Sequence, residues 1–287
     1  MFLPRKIIEE KLYEFLKEDL GQGDVTTSIL IPDGTRVEAE IIAKESGVIA
    51  GIEEAKILLE GLGVKVEAKV KDGQKISSGK TIMKLEGDAK TILAAERTVL
   101  NLISRMSGIA TQTNKIIRKV RAAGYRTIIA CTRKTAPGLE YFDKKAVWLG
   151  GGDPHRLHLD DMILIKDNHI AIIGNVKEAI KIARRKASFS KKIEVEVSSV
   201  NEAVEAAKAG ADIIMLDNFT PKQVKEAIKR LNAEGIRDKL LIEASGGISE
   251  KNLLEFASAG VDIISLGILT HDVKALDLSM EIKKPKT

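Results

Sequence analysis

Residues 193–217, IEVEVSSVNEAVEAAKAGADIIMLD, hold one complete strand–helix–strand unit. Short apolar runs at 193–197 and 212–216 flank a helical pattern at 200–209, and Gly210 stops that helix. The same grammar extends in both directions. Apolar runs recur at 127–131, 162–165, 240–243 and 262–266, and helical patterns at 175–187, 221–232 and 249–259, with Gly235 and Gly260 behind two of them. Strands alternating with helices imply a parallel sheet. Six such units without a dinucleotide fingerprint favour a closed β/α barrel over an open doubly wound sheet. Residues 138–149 read either as a helix begun after Pro137 or as an additional strand.

In a β/α barrel the functional site lies at the C-terminal ends of the strands. Those ends carry Arg133 and Lys134, then Lys166 with Asn168 and His169, then Glu196, then Asp217 with Asn218, then Ser245-Gly246-Gly247, and finally Gly267. The connected stretch 131–169 adds His155 and Arg156. Each residue alone has an ordinary explanation as a snorkelling cation, a helix cap or a turn; the joint pattern does not. Cations gathered at strand ends suit an anion with several carboxylates or phosphates. Ser245-Gly246-Gly247 and the later SLGILTH, with Gly267 and His271, sit after the last two strands. Barrel phosphate sites form there, because glycines let backbone N–H groups approach an anion. Glu196 and Asp217 are too few to cage a metal alone. They could hold a Mg²⁺ ligated mostly by substrate phosphates and water, or hydrogen-bond ribose hydroxyls.

Upstream the pattern differs. Residues 5–19 place Ile7, Ile8, Leu12, Phe15 and Leu16 at helical spacing, and GQGDVTTS then breaks the helix, its Asp24, Thr26 and Thr27 able to cap a helix or touch a ligand, with a cap or turn favoured. Residues 36–43, 64–70 and 81–87 alternate as half-buried strands, with IEEAKILLEGL a helix between the first two. This is a small α/β sandwich. VKDGQKISSGKTIMKLEGD imitates a lipoyl or biotin carrier hairpin, but no lysine stands at a tight turn between symmetric strands. Residues 89–121 form a long helix with an expected kink at Ser107-Gly108, and Arg97 on it reads as a surface arginine. Residues 272–287 read as a closing strand or helix followed by a basic tail.

The composition excludes several classes. The chain has 287 residues, 44% apolar and 30% charged, the charged share suiting a thermophile. The net charge of +5 arises from 46 basic against 41 acidic residues, so it does not by itself indicate nucleic acid. The basic run 183–192 reads as a solvated helix end. A single cysteine, Cys131, rules out an internal disulfide and a cysteine-rich metal site, and it reads as a small buried residue. No apolar run approaches the roughly 18 residues of a membrane span and no signal-peptide pattern opens the chain, which points to a soluble, cytoplasmic protein.

The words EDLGQGDVTT, AERTVLNLISRMSGIAT, TRKTAPGLE, GGGDPHR, LIKDNH, EVEV, LDNF, EASGGI and SLGILTH run in order through residues 18–271. In them the sequence closely resembles the quinolinate phosphoribosyltransferases. The resemblance implies an N-terminal α/β sandwich, residues 1–110 with the return of 272–287, and an incomplete, seven-stranded α/β barrel over 111–271. It implies a homodimer in which one subunit's N-terminal domain covers its neighbour's barrel, and larger assemblies of such dimers, hexamers among them, occur in the family. Arg97 thereby becomes a site residue donated across the interface. The implied reaction joins quinolinate to phosphoribosyl pyrophosphate with Mg²⁺ and yields nicotinate mononucleotide, pyrophosphate and CO₂. Arg97, Arg133, Lys134, His155, Arg156 and Lys166 would bind quinolinate. Lys134, Lys166, Glu196 and Asp217 would be catalytic and would meet phosphoribosyl pyrophosphate. Ser245, Gly246, Gly247, Gly267 and His271 would take its 5′-phosphate, and Glu196 and Asp217 the metal. One departure is His158, which stands where many relatives have glycine and reads either as a harmless loop variant, the favoured reading, or as a change in the pocket rim.

Overall fold

A computed structural model describes residues 3–283 of the chain. It divides into two compact units, the first comprising residues up to Asn114 together with Lys145–Gly151 and the segment from Val273, the second Lys115–Lys144 and Gly152–Asp272. Residues 145–151 therefore belong with the first unit, although the sequence suggests the barrel for them.

The first unit begins with α1 (Arg5–Leu20) and α2 (Val25–Leu30), then β1 (Arg36–Ala43), β2 (Gly47–Val48), α3 (Ile52–Gly61), β3 (Lys65–Ala68), β4 (Lys75–Ile76) and β5 (Thr81–Asp88). The helix α4 (Ala89–Ala122) follows and ends in the second unit. The second unit continues with β6 (Ile128–Ala130), α5 (Glu140–Leu149), whose residues from Lys145 on fall in the first unit, β7 (Ile163–Ile165), α6 (Asp167–Ile173), α7 (Val176–Lys186), β8 (Ile193–Val197), α8 (Val200–Ala209) and β9 (Ile213–Asp217). It closes with α9 (Pro221–Ala233), β10 (Leu241–Ser245), α10 (Leu253–Ser258), β11 (Ile263–Ser265) and α11 (Ile268–His271), after which β12 (Leu278–Lys283) returns to the first.

In the first unit β12, β1, β5 and β3 form one antiparallel sheet in that order. The expected closing strand is thus β12; the basic tail expected beyond it lies outside the described residues. Ile8, Leu12 and Leu16 bury the inner stripe of α1, each such side chain contributing roughly 1.5–3 kcal/mol, while Ile7 stays half exposed. Asp24 caps α2 by accepting from the Thr27 N–H at 2.9 Å. The kink expected at Ser107-Gly108 is absent, because α4 runs unbroken through both residues. Their reason is packing: a Cβ on Gly108 would lie 2.1 Å from the Lys274 carbonyl oxygen. Ser107 Oγ meanwhile accepts from the Ala50 N–H at 3.0 Å.

A buried ion pair also stabilises this unit. Lys145 Nζ lies 2.7 Å from Glu54 Oε1, and the Glu54 side chain is fully buried. Burial pushes the Glu54 carboxyl up, against the pull of Lys145. Lys145→Met strands that carboxylate and is expected to cost about 3–5 kcal/mol of stability. Denaturant titration measures it; a midpoint unchanged from the parent chain contradicts the assignment.

The second unit holds six parallel strands in the order β6-β11-β10-β9-β8-β7. The first strand in sequence pairs with the last, as in a barrel, and not with a switch of direction as in a doubly wound sheet. The barrel is not closed. Among the described residues Asp153 alone supplies a seventh position, through a parallel bridge to Ala130, and no pairing joins it to β7. Residues 140–149, which would have been needed for another strand, are helix α5. They bury Phe142, Ala146 and Val147 at helical spacing. Val195, Ile214, Ile242 and Ile264 are each fully buried. Among the described residues no helix is long and apolar enough to cross a membrane.

Candidate active site

Side chains at i and i+2 of a strand share a face. On β8 this puts Glu194 and Glu196 together, on β9 Met215 and Asp217, and on β10 Glu243 and Ser245. The upper members, with the loops behind them, wall a cavity of about 550 Å³ at the C-terminal ends of the strands. Arg133, Lys134, His155, Arg156, Lys166, Glu196, Asp217, Ser245, Gly246 and Gly247 all line it, as do Cys131, Glu243 and Ser265. Ten of the sequence-predicted residues therefore converge on one space. Gly267 and His271 stand behind the wall beside Lys134. A Cβ on Gly267 would lie 3.1 Å from the His271 ring and 3.4 Å from Lys134 Cδ. Arg97 lies on α4 in the first unit, its side chain 64% exposed and its nearest carboxylate Glu96 at 4.0 Å.

The cavity has two characters. One side is cationic. The Arg156 residue is only 8% exposed; burial, and then the neighbouring Arg133, depress its guanidinium, which stays charged all the same. Arg133 Nε lies 4.0 Å from Glu140 Oε1, and Lys166 Nζ lies 3.4 Å from Glu196 Oε1. Burial pushes the Glu196 carboxyl up although Lys166 draws it down. The other side is backbone. Gly246 and Gly247 have φ of 84° and 62°, and a Cβ on Gly246 would strike Asn218 Oδ1 at 2.3 Å. Among the described residues nothing accepts from the N–H groups of these two glycines. Two free N–H groups in a loop open to a cavity suit a phosphate.

Two carboxylates beneath the cavity escaped the sequence reading. Glu194 and Glu243 are fully buried, and His155 Nε2 lies 3.5 Å and 3.2 Å from them. Burial opposes a charge on His155, but hydrogen bonding and attraction from both carboxylates outweigh it and raise the ring to about 10. The Arg156 N–H, 2.8 Å from Nδ1, would favour the neutral ring. A neutral hydrogen bond is worth about 1 kcal/mol net, less than two carboxylates at this range, so the imidazolium prevails. Burial also raises Glu194, against the pull of the His155 ring. The signal was available: a glutamate inside an apolar run, at the same parity as Glu196 or Ser245, must face the barrel interior.

His155, Glu194 and Glu243 are metal-capable side chains with ligand atoms within 4.8 Å of one another. The protonated ring already supplies the cation there. Glu196 and Asp217 belong to no three-residue group of this kind among the described residues. Their fit to Mg²⁺ is of another sort, two hard oxygen donors on a cavity wide enough for water and phosphate oxygens to complete the shell.

Three further residues resolve cleanly. His169 Nδ1 accepts the Lys166 N–H at 2.9 Å and so serves the start of α6. His158 Nδ1 lies 3.4 Å from Glu140, its side chain 61% exposed and outside the cavity lining. Cys131 is buried, and burial pushes its thiol to about 11. At pH 8 the thiolate fraction is then on the order of one in a thousand. The native chain is expected to resist iodoacetamide, as read by intact mass; rapid labelling before unfolding rejects the buried-thiol assignment.

Residues 109–281 match the model of the quinolinate phosphoribosyl transferase C-terminal domain, and residues 24–107 that of its N-terminal domain. The chain belongs to the quinolinate phosphoribosyl transferase family. It is 47% identical over 270 residues to a probable nicotinate-nucleotide pyrophosphorylase [carboxylating] of Methanothermobacter thermautotrophicus, covering 94% of this chain and 97% of the relative. It is 40% identical over 272 residues to the nicotinate-nucleotide pyrophosphorylase [carboxylating] of Mycobacterium leprae, covering 93% and 94%. The solved nicotinate-nucleotide pyrophosphorylase of Francisella tularensis superposes with a TM-score of 0.89 at 36% identity, covering 98% of each chain.

Proposed function

We infer that the chain transfers phosphoribosyl from phosphoribosyl pyrophosphate to quinolinate with loss of CO₂, releasing nicotinate mononucleotide and pyrophosphate in NAD biosynthesis. Family membership supports the reaction class. The observation that carries the choice of substrate is the single cavity with clustered cations on one side and two free glycine N–H groups on the other. One ligand face with adjacent carboxylates and one terminal phosphate fit it.

Arg133, Arg156 and the imidazolium of His155 offset the two carboxylates of quinolinate, while Lys134 and Lys166 meet its anionic partner. Ser245, Gly246 and Gly247, with Gly267 and His271 behind, take the 5′-phosphate. The C1–oxygen bond breaks with its electron pair leaving on pyrophosphate, and positive charge grows on the ribose ring. Glu196 and Asp217 favour that charge. The pyridine nitrogen then bonds to C1. The resulting pyridinium accepts the electron pair of the breaking carbon–carboxylate bond, CO₂ departs, and a proton fills the vacated position. Mg²⁺, held by Glu196 and Asp217 through water and substrate oxygens, would neutralise the departing pyrophosphate. No protein nucleophile is required.

The test supplies quinolinate, phosphoribosyl pyrophosphate and Mg²⁺ and measures CO₂ and pyrophosphate, expected in equal amounts. Turnover of nicotinate but not quinolinate would move the assignment to a nicotinate phosphoribosyltransferase.

The working unit is proposed to be a homodimer, or a hexamer built from dimers, with Arg97 entering a second subunit's cavity. Its side chain is 64% exposed, with Glu96 4.0 Å away, which leaves the guanidinium accessible for a role outside its own unit. Arg97→Ala and Arg133→Ala are each expected to be nearly inactive, and chains unfolded and refolded together to regain activity in hybrids with one intact cavity. A mixture no more active than its separate components excludes the donated arginine.

A further inference from the structure

Lys144 lies on α5 on the side away from Phe142 and Ala146, in a stretch buried all round, and its side chain is fully buried. Its ammonium donates to the carbonyl oxygens of Pro154 at 2.5 Å and Arg156 at 2.8 Å, with Cys131 Sγ 3.8 Å away. These two carbonyls flank His155, whose backbone is left-handed, with φ of 54°. A non-glycine residue rarely adopts that conformation and persists in it only when its surroundings impose it. One group reaches the oxygens on both sides of the kink, and that group is Lys144.

The arrangement is not what packing alone would select. Methionine would fill the same volume without the desolvation of an ammonium, and burying a charge among carbonyls and a thiol is unfavourable unless the charge is used. Burial pulls the Lys144 ammonium down; Cys131, itself held as a thiol by burial, and the Glu140 carboxylate act the other way. What the charge accomplishes is local. It fixes the Pro154–His155 and Arg156–Leu157 peptides, and so the two side chains that enter the cavity from that loop, and it adds positive potential behind the wall that Cys131 forms.

We propose that Lys144 is a positioning residue for quinolinate, clamping the left-handed kink at His155 so that His155 and Arg156 stand ready for the carboxylates. The proposal deepens the quinolinate reading of the cavity and rests on it. Misplacement of a binding group by about 1 Å can cost roughly a hundredfold.

The experiment compares the full-length parent, Lys144→Met and Lys144→Gln, using calorimetric titration with quinolinate and, separately, with phosphoribosyl pyrophosphate in Mg²⁺. Lys144→Met is expected to weaken quinolinate roughly ten- to a hundredfold and phosphoribosyl pyrophosphate by less than about threefold. Lys144→Gln retains a hydrogen-bond donor without the charge and is expected to fall between. Equal quinolinate affinity in the folded Met variant overturns the proposal, as does a matched loss for both ligands, which would mark a merely structural lysine. Should Lys144→Met fail to fold, Lys144→Gln is judged by the same split. Parent protein that itself fails to bind quinolinate removes the functional reading instead, so the two failures are told apart.

Discussion

Arg156→Ala is expected to weaken quinolinate by about 3–4 kcal/mol, a loss of roughly 10²- to 10³-fold, and to leave the affinity for phosphoribosyl pyrophosphate almost unchanged. The size follows from burial. Arg156 is only 8% exposed, so its charge is screened little by water and its partner carboxylate would have no solvent to replace it. The variant also removes a cation that Glu194 and Glu196 attract. Those carboxylates then repel the incoming dianion with less to oppose them. Arg156→Lys restores the charge but not the planar fork, and is expected to recover only part of the loss. Arg133→Ala, at a side chain 37% exposed, is expected to cost less. Calorimetric titration with quinolinate measures all three. Loss of less than about threefold in Arg156→Ala would place the carboxylates elsewhere.

What the sequence disclosed and what it hid follow from the range of the signals. Residues 193–217 announced their unit because strand and helix periods are local, and β8, α8 and β9 fall within those bounds. Strand ends named Lys166, Glu196, Asp217 and the 245–247 turn because a barrel presents every such end to one mouth. Closure was not legible. A seam depends on whether residues far apart in sequence pair, and the single bridge between Ala130 and Asp153 leaves no run of alternation to read. Gly108 was misread for a related reason. Its role comes from the backbone at Lys274, and glycine within a helix otherwise signals only weakness. Glu194, Glu243 and Lys144 were hidden by position: charged residues inside buried elements look like ordinary alternation or a helix's polar face until tertiary packing shows that no water reaches them. Sequence reasoning thus found residues at the ends of elements and missed those beneath them.

The second large effect separates catalysis from binding. Glu196→Gln is expected to lower kcat by roughly 10²- to 10³-fold, the scale of removing one preorganised electrostatic contact to a developing charge. Its effect on quinolinate should have the opposite sign to that of Arg156→Ala. Glu196 lies on the cavity wall with its side chain only 17% exposed, and a carboxylate there opposes a dianion. Its loss frees Lys166, 3.4 Å away, to face the ligand. Quinolinate measured alone should therefore bind as well or slightly better, while turnover collapses. The concentration of Mg²⁺ giving half-maximal rate is expected to rise, because glutamine offers one neutral oxygen in place of a carboxylate. Asp217→Asn should behave alike, and the double variant should lose less than the product of the single losses if both act on the same charge. Steady-state rates with saturating substrates, set beside titration with quinolinate alone, read both quantities. A kcat within about threefold of the parent would mean that Glu196 does not face the cationic transition state, and the ribose would have to lie elsewhere in the cavity.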